Sequence, residues 1–176
     1  MFISMGRDTW YGYPYMYFDS RPKNRKEDLY NRQMELEEFT KSLVYAPIIV
    51  VAGLRRTGKT SFINVALAEC NCPYAILDMR GLPINPSHED VVRKIESAFK
   101  RVDRQWFSEL ADALKHLKGV SVLGNELSFE WGKAGVDLTE LFAKIDYWAK
   151  KGGTKFVIAF DEIQLIRGDK WMLSFF

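Results

Sequence analysis

Eight consecutive residues carry the clearest chemistry in the chain. Gly53-Leu-Arg-Arg-Thr-Gly-Lys-Thr60 matches G-x-x-x-x-G-K-[ST] at every fixed position. A chance match in a chain of this size has odds on the order of one in a hundred. The pattern has a physical meaning. Gly53 and Gly58 let the backbone curl and approach a ligand closely, and the N–H groups of the turn, with the positive end of the next helix, surround phosphate oxygens. The phosphate-binding stretch is read as Gly53, Leu54, Arg55, Arg56, Thr57, Gly58, Lys59, Thr60 and Ser61. Lys59 is expected to reach the β- and γ-phosphates of a bound nucleotide, and the Thr60 hydroxyl to take one Mg2+ position. A second element is Asp161-Glu162, directly after the apolar run Phe156-Val-Ile-Ala-Phe160. Asp161 suits a Mg2+ contact through water. Glu162, one residue on, is placed to polarise an attacking water, so Glu162 and Lys59 are the catalytic candidates.

Both motifs need rigid elements behind them. Pro47-Ile-Ile-Val-Val-Ala52 is a short β-branched run without alternation, which predicts a strand buried on both faces of a parallel sheet just before the Gly-rich turn. A helix from Thr60 to Glu69 follows, and Tyr74-Ala-Ile-Leu-Asp78 reads as a second buried strand. An amphipathic helix is predicted over 31–43, with Asn31 as its N-cap and Leu36, Phe39 and Leu43 on one face. Ser87, with Asp90 three residues on, caps a long stripe of Val91, Ile95, Phe99, Val102, Trp106, Leu110, Leu114 and Leu117. Near Asp103 that stripe divides into two helices end to end. Residues 119–132 alternate around Gly124-Asn125, the pattern of a β-hairpin. Asp137 and Glu140 open a helix that Gly152-Gly153 ends, and Phe156–Phe160 is the third wholly apolar strand.

Composition narrows the function classes. The 176 residues are 47% hydrophobic and 27% charged, so the chain is globular and long enough for a real core. A formal net charge of +2 gives no global case for nucleic acid or an anionic membrane. The basic cluster Arg21, Lys23, Arg25 and Lys26 runs straight into Glu27 and Asp28, and reads as a solvated lead-in to the first helix. No apolar run approaches the roughly 20 residues that span a bilayer, and the aromatic first 20 residues lack a signal-peptide h-region, so a cytoplasmic location is expected. The two cysteines, Cys70 and Cys72, are too few for a disulfide scaffold and are expected as thiols near a helix end.

The chain resembles the archaeal ATPase family, a branch of the STAND and AAA+-like P-loop ATPases related to the origin-recognition ATPases. The matching pieces are the stretch Arg21 to Gln33, the phosphate loop with its double Arg, Leu77-Asp-Met-Arg80, Glu130-Trp-Gly132 and Phe160-Asp-Glu-Ile-Gln164. The resemblance implies an α/β, three-layer P-loop NTPase fold of the additional-strand (ASCE) type with a mostly parallel sheet and a hairpin insertion near 119–132. It implies ATP binding and Mg2+-dependent hydrolysis used as a conformational switch. Leu29, Tyr30 and Arg32 then belong to a stretch that closes over the adenine. Family members begin near where Met16 stands here, so residues 1–15 are expected as an irregular extension and 16–176 as the N-terminal part of the ATPase domain. The strand that senses the γ-phosphate, the helical lid and the winged-helix part are expected to be missing. In this architecture the missing strand lies between the Ile48 and Phe156 strands, which leaves sheet edges for self-association or a protein partner. Two alternatives stand beside the ATPase: a truncated, non-hydrolysing nucleotide-binding or interaction module, and a DNA-associated ATPase.

Overall fold

The structure is a computed structural model that describes residues 21–83, 85–123, 126–130 and 135–165. The expected extension over 1–15, the turn residues Gly124 and Asn125, and Trp131 and Gly132 lie outside the described residues. The chain divides into two compact units, with the boundary between Cys70 and Asn71.

In the first unit, helix α1 (Gln33–Tyr45) packs against helix α2 (Lys59–Glu69). Leu36, Phe62, Val65 and Ala66 are buried together, with Leu29, Phe39, Val51 and Ile63 packed around them. Phe39 and Phe62 meet edge to face at 5.8 Å between centroids, a geometry that places ring edge on ring face. Helix α1 starts one residue later than its expected cap suggests. Asn31 sits at φ 52°, in the left-handed region, so Arg32 becomes the N-cap. The expected buried strand at Pro47–Ala52 is not formed among the described residues. Ile48 and Val50 are 68% and 82% exposed, while Ile49 and Val51 are partly covered. The β-branched run has the propensity, but among the described residues it pairs with no strand, and propensity follows packing and pairing.

The second unit has a parallel pair at its centre. Strand β1 (Tyr74–Asp78) pairs with strand β4 (Val157–Asp161), from Tyr74 opposite Val157 to Asp78 opposite Asp161. Between them the chain runs through α3 (His88–Phe99), α4 (Arg104–Leu114), β2 (Val120–Leu123), β3 (Glu126–Phe129) and α5 (Leu138–Lys151). Parallel neighbours require such a crossover. Ser87 and Asp90 form a full capping box on α3, and Asp103 caps α4, dividing the long apolar stripe where its side chain accepts from the Gln105 N–H. The Ser87 hydroxyl bond holds the Asp90 carboxyl below its ordinary range. Asp137 caps α5, and Gly152 ends it. Strands β2 and β3 pair antiparallel, Val120 opposite Phe129. The core gathers Leu77, Met79, Phe99, Leu110, Leu114, Leu127, Leu141 and Ile145, with Phe99 stacked on Phe156 at 5.5 Å. Cys70 and Cys72, expected as thiols, are disulfide-bonded. They flank Asn71, whose left-handed φ of 47° turns the chain sharply.

Candidate functional site

The phosphate loop belongs to the first unit. Its tip is exposed from Gly53 to Gly58, and the helix begins at Lys59. Arg56 (φ 66°) and Gly58 (φ 81°) are both left-handed, and they curl the loop on either side of Thr57. A Cβ at Gly53 would stand 3.3 Å from the Thr57 hydroxyl oxygen, so the loop closes tightly on itself there. Nothing lies within 4 Å of the Cβ direction of Gly58, which leaves open space beside the helix N-terminus. Three sets of hydrogen bonds hold the curl. The Thr57 hydroxyl donates to the Leu54 carbonyl at 2.8 Å. The Lys59 ammonium donates to the Gly53 and Leu54 carbonyls at 3.1 and 2.8 Å. The Arg32 guanidinium donates to the Thr57 carbonyl at 3.1 Å.

Behind the loop the helix is fixed in its first two turns. The Phe62 N–H donates to the Gly58 carbonyl at 2.9 Å, the Lys23 N–H donates to the Ser61 hydroxyl at 3.0 Å, and Asn64 bonds Asn24 at 2.9 Å. Thr60 and Ser61 are half-buried, whereas Leu54, Arg55 and Arg56 are exposed. The three residues expected over the base separate in role. Leu29 packs into the Leu36–Phe62 cluster, Tyr30 is 93% exposed, and Arg32 reaches the phosphate loop. The loop's curled, solvent-facing backbone at a helix N-terminus fits a polyphosphate. Among the described residues no group of three or more His, Cys, Asp and Glu is placed to hold a metal.

The carboxylates belong to the second unit. Asp161 is the last residue of β4 and is buried at 8% exposure; its carbonyl accepts from the Met79 N–H at 3.1 Å. Glu162 follows at φ 57°, a left-handed conformation that a non-glycine residue rarely adopts. The Gln164 side chain hydrogen-bonds the Glu162 carboxylate. Two residues not singled out as site candidates lie alongside. Arg80 forks onto Asp78, with Nη2 at 2.7 Å and Nε at 2.9 and 3.0 Å from the carboxylate oxygens. That bond holds the Asp78 carboxyl below its usual range, and the same bond raises Arg80, with Asp161 and Glu162 adding to the pull. The Lys94 ammonium caps the Arg80 carbonyl at 2.6 Å. The sequence signal for this group is an Asp-x-Arg that begins at a strand's last residue, with opposite charges two residues apart.

Comparison with known proteins follows this geometry. No family model and no curated protein matches the chain. Among solved structures it is similar to the Walker-type ATPase PABY2304 of Pyrococcus abyssi, with a TM-score of 0.63 and 27% identity over 88% of this chain and 42% of that one. The chain thus spans less than half the length of that structure. The α/β architecture with its parallel pair, the phosphate loop and this likeness together support a P-loop NTPase-like fold and a relationship to an archaeal P-loop ATPase. Among the described residues no helix is long and apolar enough to cross a membrane.

Proposed function

We propose that this chain is an ATP-binding P-loop domain whose work is Mg2+-dependent ATP hydrolysis, used as a nucleotide switch of the STAND or AAA+-like kind. The observation that carries the reading is a complete G-x-x-x-x-G-K-T loop that ends in a left-handed Gly58 and opens an α-helix at Lys59. In this reading Gly53–Ser61 binds the phosphates through backbone donors, and Lys59 leaves the loop carbonyls to neutralise the β- and γ-phosphates. Mg2+ supplies charge neutralisation at the phosphate oxygens when bound, and the motif chemistry assigns Thr60 and, through water, Asp161 to it. Glu162 accepts the proton of the attacking water as its oxygen bonds the γ-phosphorus and the bond to the β-phosphate bridging oxygen breaks, releasing ADP and phosphate. The likeness to a Walker-type ATPase supports the nucleotide chemistry. An ASCE-type sheet order and a cytoplasmic location remain part of the same proposal.

A second reading, a nucleotide-holding module that does not hydrolyse, is favoured by the exposed Ile48 and Val50 just before the phosphate loop. An apolar extended segment of that kind suits pairing with a protein partner or a second copy. A phosphate-release assay with ATP, in Mg2+ and then in excess chelator, separates the two. Turnover that disappears with the chelator is expected, and ATP binding without turnover at any Mg2+ concentration favours the second reading.

A further inference from the structure

Resemblance groups Arg32 with the residues that cover the base, but its contacts put it elsewhere. Arg32 ends the lead-in to α1 as the N-cap residue, directly after the left-handed Asn31, so its side chain is aimed by a sharp turn. One arm of the guanidinium, Nη1, donates to Glu35 at 3.0 Å, and the other, Nη2, donates to the Thr57 carbonyl at 3.1 Å. That carbonyl belongs to the peptide joining Thr57 to Gly58. A peptide is planar and trans, so a carbonyl held on one side sends the N–H of the next residue to the other. Arg32 therefore fixes the direction of the Gly58 N–H, a donor in the middle of the phosphate loop. Arg56 and Gly58, on either side of Thr57, are both left-handed.

The other ties differ from this one. The Lys59 bonds to the Gly53 and Leu54 carbonyls are given up when the ammonium turns to phosphate. The Thr57 hydroxyl bond to Leu54 stays within the loop. The Arg32 bond instead ties the loop to the start of α1, through a carbonyl that the trans peptide points opposite to the Gly58 N–H, so a ligand held by that N–H leaves the bond in place. Glu35 orients the guanidinium, and a planar fork can hold a carboxylate and a carbonyl at once where a lysine cannot.

We infer that Arg32, oriented by Glu35, is a positioning residue that pre-sets the phosphate loop for polyphosphate, and is not a reader of the base. The inference rests on the phosphate-loop reading above. Its consequence is specific: loss of the fork weakens every ligand that carries the triphosphate, whatever base it bears.

The test is calorimetric titration of ATP and of inorganic tripolyphosphate into wild type, Arg32→Ala, Arg32→Lys, Glu35→Gln and Lys59→Ala, with the Gly58 amide followed by NMR in the ligand-free proteins. Both ligands are expected to bind about tenfold more weakly to Arg32→Ala, since a hydrogen bond from a charged group is at stake. Arg32→Lys is expected to recover little, Glu35→Gln to fall between, and the Gly58 amide to shift in all three. A loss confined to ATP, full recovery by Arg32→Lys, or an unmoved Gly58 amide overturns the inference. Should Arg32→Ala fail to fold, Arg32→Lys and Glu35→Gln carry the same comparison. Equal binding of both ligands by wild type and Lys59→Ala would instead refute the phosphate-loop reading itself.

Discussion

Glu162 shows how much one backbone angle decides. Asp161 closes β4 in regular strand geometry, and the next residue breaks into the left-handed region at φ 57°. Such a conformation costs a non-glycine residue about 1–2 kcal/mol. The turn separates the surroundings of two adjacent carboxyl groups: Asp161 is buried at the strand end, and Glu162 is half-buried with its carboxylate held by Gln164. In the proposed reading Asp161 serves the metal and Glu162 the attacking water. Glu162→Gln keeps size and hydrogen bonding but cannot take a proton, so ATP affinity is expected to stay within a few-fold while turnover falls by about a hundredfold or more. Equal turnover by the variant and wild type, measured as phosphate release, removes Glu162 from the chemistry.

At the scale of elements, much of the fold was legible. Helix boundaries written in cap chemistry came through: Ser87 with Asp90, and Asp137, bond first-turn N–H groups as the sequence suggests, and the break near Asp103 is where that residue caps α4. Strands β1 and β4 were legible as apolar runs, although the structure buries only Ala75 and Leu77 of β1 and leaves the apolar residues of β4 half-buried. What composition could not carry was pairing. Pro47–Ala52 has the same β-branched character, yet forms no strand among the described residues. A ladder depends on a neighbour remote in sequence. The Arg32–Thr57 bond was equally invisible, since it joins groups 25 residues apart through a backbone carbonyl. Gly119 marks an element junction whose role is steric. At φ 77° it precedes β2, and a Cβ there would stand 2.7 Å from the Val136 backbone nitrogen. Gly119→Ala adds left-handed strain to a backbone clash, and a loss of about 2–4 kcal/mol in urea unfolding is expected. An unchanged midpoint excludes that close approach.

For the whole molecule, the two units divide the chemistry: the phosphate loop lies in one, and Asp161 and Glu162 lie in the other. Each has its own buried cluster. The exposed apolar residues Ile48 and Val50 immediately precede the phosphate loop, and an exposed apolar, β-branched stretch invites another chain. Light scattering over a range of protein concentrations is expected to report self-association, and Val50→Lys is expected to reduce it without lowering the unfolding midpoint. A wild-type monomer throughout that range shows that the segment recruits no second copy.

The claim on which everything else depends is that Gly53–Ser61 holds nucleotide phosphates. Lys59 is the residue to remove, because its ammonium is the one formal charge the motif aims at the β- and γ-phosphates, and backbone donors cannot replace it. The most direct measurement is the dissociation constant of ATP, taken by titration calorimetry on folded wild type and folded Lys59→Ala in Mg2+. Saturable binding by wild type and a loss of at least about a hundredfold in the variant is the predicted result. An identical constant for the two proteins contradicts the account.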